Sequence, residues 1–150
     1  MNCDFDALAH DEHRWRASGA AVVAAVAIGG ALGAEARYGA SRVWPQSAGG
    51  FPLTTFVVNV TGCALIGIVL AALGHMSAPD RLLRPFLATG VLGGFTTFST
   101  YAVDSQELIE DGHPGTALLN IAGTLAAALA AVTLTAVGTR RLLASREGSR

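Results

Sequence analysis

Four long apolar runs, separated by short polar stretches, set the pattern of this chain: residues 20–38, 53–73, 85–103 and 117–137. A helix rises about 1.5 Å per residue, so roughly 20 residues cross a hydrocarbon core about 30 Å thick. Each run reads as a transmembrane helix. The connections suit that reading. Residues 40–50 carry Arg42, Trp44, Pro45 and Gly49-Gly50, with the Trp placed for a membrane interface. Residues 75–84, with Pro79 and Asp80, form a short polar turn of the kind that joins antiparallel helices. After the third run, Asp104, Glu107, Glu110 and Asp111 lead into the turn signal Gly112-His113-Pro114. The expected organisation is a polar N-terminal tail over 1–17, disordered or lying on the surface, a four-helix membrane domain over 18–139 and a basic C-terminal tail over 140–150. The N-terminal stretch does not resemble a signal peptide, being more acidic than basic and followed by an apolar run longer than a signal core.

The third run conflicts with its own role. Gly90, Gly93 and Gly94 each cost about 1 kcal/mol against Ala inside a helix. Thr96, Thr97, Ser99 and Thr100 carry hydroxyls that compete for backbone hydrogen bonds. A helix can break there. In hydrocarbon, broken backbone is tolerated only where protein, water or an ion satisfies it, so the segment reads as the lining of something.

Composition confirms the class: 51% of residues are apolar and 14% charged, with a mean hydropathy of +0.46. This is an integral membrane protein of one domain. The ten basic residues are all Arg and the net charge is -1, which does not indicate nucleic acid as a partner. Cys3 and Cys63 have neither metal-site spacing nor a plausible mutual bridge, and both are expected as free thiols. Four spans put Arg14, Arg16, Arg81, Arg84, Arg140, Arg141, Arg146 and Arg150 on one side, against Arg37 and Arg42 on the other. The positive-inside rule then predicts both termini in the cytoplasm of a multi-pass plasma-membrane protein. No nucleotide-binding Gly-rich loop is present, and nothing marks an enzyme.

Several intramembrane residues admit a packing reading and a functional one. Gly29 and Gly33 form a small-residue pair that allows close helix approach, and Arg37 lies one turn beyond on the same face, where snorkelling is an adequate explanation. Asn59, near the middle of the second run, can tie helices together. Phe95, Phe98 and Tyr101 recur every three residues and share a helix face. They form either a packed aromatic stripe or, through the electropositive edges of their rings, a path for a small anion.

Three motifs in order carry a family resemblance: Gly29-Gly-Ala-Leu-Gly-Ala-Glu-Ala-Arg-Tyr38, Thr55-Phe-Val-Val-Asn-Val-Thr-Gly62 with Gly67, and Gly93-Gly-Phe-Thr-Thr-Phe-Ser-Thr-Tyr101. Together they resemble the Fluc/CrcB fluoride channels over roughly residues 20 to 138. The resemblance implies an all-α membrane protein of four transmembrane helices with a break in the third, paired as an inverted dimer with itself or a related subunit. It implies passive export of cytoplasmic fluoride, lowering fluoride toxicity, and a structural sodium ion at the dimer centre. By position, carbonyls of Gly93 and Thr96 would face the sodium. Phe98 and Tyr101 would give aromatic edges along the pore, Asn59 an amide donor, and Asn120 and Thr124 the start of a polar track. Arg37 would sit toward an aqueous vestibule. The chain departs from the family pattern at Tyr101, where Phe is more usual, at Cys63 and Ala64, where Ser and a bulky aromatic are more usual, and at Ala128, where a Ser is expected.

The alternative class is a proton-coupled exporter of the small multidrug type, also four-helical. Its acid in the first helix has one candidate here, Glu35, placed near that helix's end. The arginine asymmetry adds an expectation of its own: a chain that inserts mainly one way pairs with an oppositely oriented relative, against the rival of a dual-topology homodimer.

Overall fold

The computed structural model describes residues 3–45, 49–77 and 79–147, with side chains described between 19 and 145. The chain is all-helical. Helix α1 spans Cys3–Val43 and α2 Leu53–His75. The third helix, α3, begins as a π-helical stretch, Pro85–Leu92, and closes with one α-turn, Gly93–Phe95. Helices α4, Ser99–Glu110, and α5, Pro114–Glu147, complete the order. Among the described residues four segments are long and apolar enough to cross a membrane: Gly19–Val43, Leu53–His75, Pro85–Glu110 and Pro114–Ser145.

The helices reach further than their apolar runs. Residues 3–18 contain neither Gly nor Pro, and α1 continues back through them to Cys3 where a tail is expected. Polar residues of ordinary helix propensity propagate a helix that the span has already nucleated. The same holds for α5, which runs past Arg140 and Arg141 to Glu147. Met1 and Asn2 and residues 148–150 of the expected tails lie outside the described residues, as do all side chains before Gly19, Cys3 among them; Cys63 is a free thiol.

Two parallel helix pairs build the fold. Helix α1 runs along α3 through glycine: a Cβ at Gly29 would lie 2.5 Å from the Phe86 carbonyl oxygen, and one at Gly90 only 3.0 Å from Gly29 Cα. Gly33 is pressed equally hard on Val91, and Gly94 on Gly30. Such backbone-to-backbone contact is what small residues supply in a lipid-embedded interface, where dispersion and not water exclusion drives association. Helix α2 runs along α5, where Gly67 accepts the Thr135 side chain and Thr135 Oγ1 donates to the Ala64 carbonyl at 2.9 Å. Helix α4 packs on α5 and brings the far half of the third span against both. The α1–α2 connection is tied down by Thr54 Oγ1, which donates to the Trp44 carbonyl at 2.6 Å.

Candidate functional site

Helical backbone stops at Phe95. Thr96 is extended, with φ -73° and ψ 157°, and helix resumes at Ser99. The interruption lies well inside Pro85–Glu110, so every backbone group there needs a partner. Asn59, buried on α2, answers for Thr97: its Oδ1 accepts the Thr97 amide at 2.8 Å, and its Nδ2 donates to the Thr97 carbonyl at 2.9 Å. Arg37 answers for Gly94, its Nε donating to that carbonyl at 3.3 Å. The Thr97 hydroxyl accepts the amide of Thr100 at 3.1 Å and donates to the Thr100 hydroxyl at 3.0 Å, closing the first turn of α4.

Beside this interruption lies a cleft of about 290 Å³. Asn59, Thr96, Phe98, Tyr101 and Thr124 line it together with Cys63 and Ala128. The Phe98 and Tyr101 rings sit 5.6 Å apart, tilted by 49°. Phe98 is 80% exposed on the single subunit, an aromatic ring presented at membrane depth. Most hydroxyls around the cleft already have acceptors. Tyr101 donates to the Ile121 carbonyl at 3.1 Å, Thr96 to the Leu92 carbonyl at 3.0 Å and Thr124 to Asn120 Oδ1 at 3.1 Å. The second hydrogen of Asn59 Nδ2, the Cys63 thiol and the ring edges of Phe98 and Tyr101 are not spent in these bonds.

Other residues singled out from sequence do not line the cleft. Asn120 is 0% exposed, a link between Thr124 and Ser105, to whose hydroxyl its Nδ2 donates at 2.9 Å. Arg37 lines a separate recess of about 140 Å³ that also reaches Thr97 and Thr100. Gly93 is exposed on the subunit surface, and a Cβ there would meet nothing closer than the Ala88 carbonyl at 3.8 Å. Glu35 is exposed on α1, and because α1 continues to Val43 it stands two turns inside the helix end, not at it.

Two polar residues escaped the sequence reading. Thr97 holds both the Asn59 bonds and the start of α4, yet in sequence it is one hydroxyl among four. Asp104 is 6% exposed, and its Oδ2 is buried without a hydrogen-bond partner. It follows Tyr101 by three residues, so the period of the aromatic stripe marked it, while its acidic neighbours made it look like part of a solvated loop. Among the described residues no group of three His, Cys, Asp or Glu side chains converges.

Fold and site define a small multi-pass membrane protein whose third span is interrupted beside a polar and aromatic cleft. Residues 24–137 match the family described as CrcB-like protein, Camphor Resistance (CrcB), and the chain belongs to that family. It is 56% identical over 133 residues to fluoride-specific ion channel FluC 1 of Streptomyces coelicolor, covering 89% of this chain and 86% of the relative. It is 58% identical over 106 residues to FluC 2 of Streptomyces avermitilis (71% and 67% of the two chains) and 49% identical over 114 residues to FluC 2 of Nocardia farcinica (76% and 81%).

Proposed function

We propose that this chain is the subunit of a fluoride channel that lets cytoplasmic fluoride leave the cell passively and so lowers its toxicity. The observation that carries the reading is the cleft of Asn59, Phe98, Tyr101 and Thr124 at the interruption, in a chain of a family whose relatives bear the fluoride-channel name. Fluoride is small and strongly hydrated, so a path for it must replace water with close donors yet hold it weakly enough for exit. A side-chain amide hydrogen and ring edges meet both demands without a fixed positive charge. The exporter alternative through Glu35 finds no support in these relatives.

The functional unit we propose is an inverted dimer. Gly93 and Phe98, exposed on one subunit at membrane depth, would be covered by an oppositely oriented copy or a related chain. The cytoplasm would receive both termini of this subunit, by its arginine bias. At the centre, carbonyls of Gly93 and Thr96 would hold a sodium ion, a use of unwound backbone at a helix break that suits a hard cation. The fit is supported by Thr96, whose extended conformation takes its carbonyl out of the helical ladder.

Fluoride-electrode recording of efflux from liposomes containing the purified protein tests the function. A fast efflux with no proton-coupled drug exchange is expected. Drug exchange without fluoride efflux would replace this reading with the exporter.

A further inference from the structure

In an unbroken α-helix the amide of each residue bonds the carbonyl four residues earlier. The amide due to the Gly93 carbonyl is therefore that of Thr97, and the amide due to the Thr96 carbonyl is that of Thr100. Both are taken elsewhere. Thr97 N–H goes to Asn59 Oδ1 at 2.8 Å, and Thr100 N–H goes to the Thr97 hydroxyl at 3.1 Å. The carbonyl between them is treated differently: Gly94, whose helical donor would be Phe98, receives Arg37 Nε at 3.3 Å.

We infer that Asn59 and Thr97 are positioning residues whose side chains divert two backbone amides and so keep the Gly93 and Thr96 carbonyls open to a small hard cation, while Arg37 closes the Gly94 carbonyl against it. This rests on the channel reading for its place in the protein and goes beyond it in assigning the side chains that make the cation site. The bidentate geometry supports it. Nδ2 of Asn59 also holds the Thr97 carbonyl at 2.9 Å, so the residue is fixed at both of its polar groups and cannot slip back into the helical ladder. The Thr97 hydroxyl, through its bond to the Thr100 amide, also closes the first turn of α4, directly after Phe98, which lines the cleft. Asn59 thus acts on fluoride through the backbone as well as through its free amide hydrogen.

The test is thermal melting of the purified protein in sodium chloride against N-methylglucamine chloride, run beside fluoride efflux. Wild type should melt several degrees higher in sodium. Asn59→Ala frees the Thr97 amide to return to Gly93, and Thr97→Val frees the Thr100 amide to return to Thr96. Each should abolish the sodium-dependent shift, and Thr97→Ser, which keeps the hydroxyl, should restore it. Phe98→Ile should retain the shift while slowing efflux roughly tenfold. A full sodium shift in both Asn59→Ala and Thr97→Val, or none in wild type, overturns the inference. Should Asn59→Ala fail to fold, the nearly isosteric Thr97→Val with its Ser rescue decides alone. Should wild type show the shift but no fluoride efflux, the channel reading fails and the positioning role stands.

Discussion

Asn59 and Asn120 are both asparagines buried inside the bundle, yet their amides act on different parts of the molecule. Asn120 bonds only side chains, joining Ser105 of α4 to Thr124 of its own helix. Asn59 bonds only backbone, taking both polar groups of Thr97 at the point where the third span leaves helical geometry. The first is a link between regular helices, and its loss leaves those helices with their ladders intact. The second is part of the ladder itself. A polar side chain in a dry bundle therefore has two distinct uses, to join helices or to re-route a backbone, and the partner atoms distinguish them where the residue type does not.

The largest expected effect is on the backbone side of this comparison. Asn59→Asp keeps an acceptor for the Thr97 amide but opposes the Thr97 carbonyl and the anion with a negative charge. A carboxylate at membrane depth costs about 2.5–3.5 kcal/mol, so fluoride efflux should fall on the order of 100-fold, read by electrode in liposomes. Phe98→Ile removes the ring edge from the cleft at similar bulk. Aromatic electrostatics contribute about 0.5–1.5 kcal/mol, so efflux should fall roughly tenfold while melting temperature stays near wild type.

Asn120→Ala should invert that profile. It deprives Thr124 of its acceptor and removes the donor to Ser105, whose hydroxyl keeps its bond to the Tyr101 carbonyl, a stability loss of about 1–3 kcal/mol measured by denaturation in detergent, with efflux within a few-fold of wild type. Efflux loss at unchanged stability would move Asn120 from the link to the path. Smallest is Tyr101→Phe, which forfeits only the bond to the Ile121 carbonyl, about 0.5–1.5 kcal/mol of stability, and should leave efflux within about threefold.

The spans were legible because about 20 apolar residues in a row have few other uses. The extensions of α1 to Cys3 and of α5 to Glu147 were not, since hydropathy falls silent where helix propensity continues. The Gly29/Gly33 pair announced a close approach but not its partner. Small residues are permissive toward any neighbour, and only the fold shows Gly90 and Val91 of α3 against them. At the site, Asn59, Phe98, Tyr101 and Thr124 fall on one cleft, whereas the engagement of Asn59 with Thr97 could not be read from residue types. Backbone partners leave no trace in sequence. Asp104 was obscured for a related reason, its depth being a property of helix α4 and its period, not of the acidic residues around it.

Fluoride efflux from liposomes holding wild type or Phe98→Ile, compared at equal protein density, tests the central claim most directly. The account predicts that wild-type vesicles release their fluoride rapidly and passively, and that the variant, inserted and folded, releases it far more slowly. Equal rates from both proteins, or no release above protein-free liposomes from wild type, would contradict it.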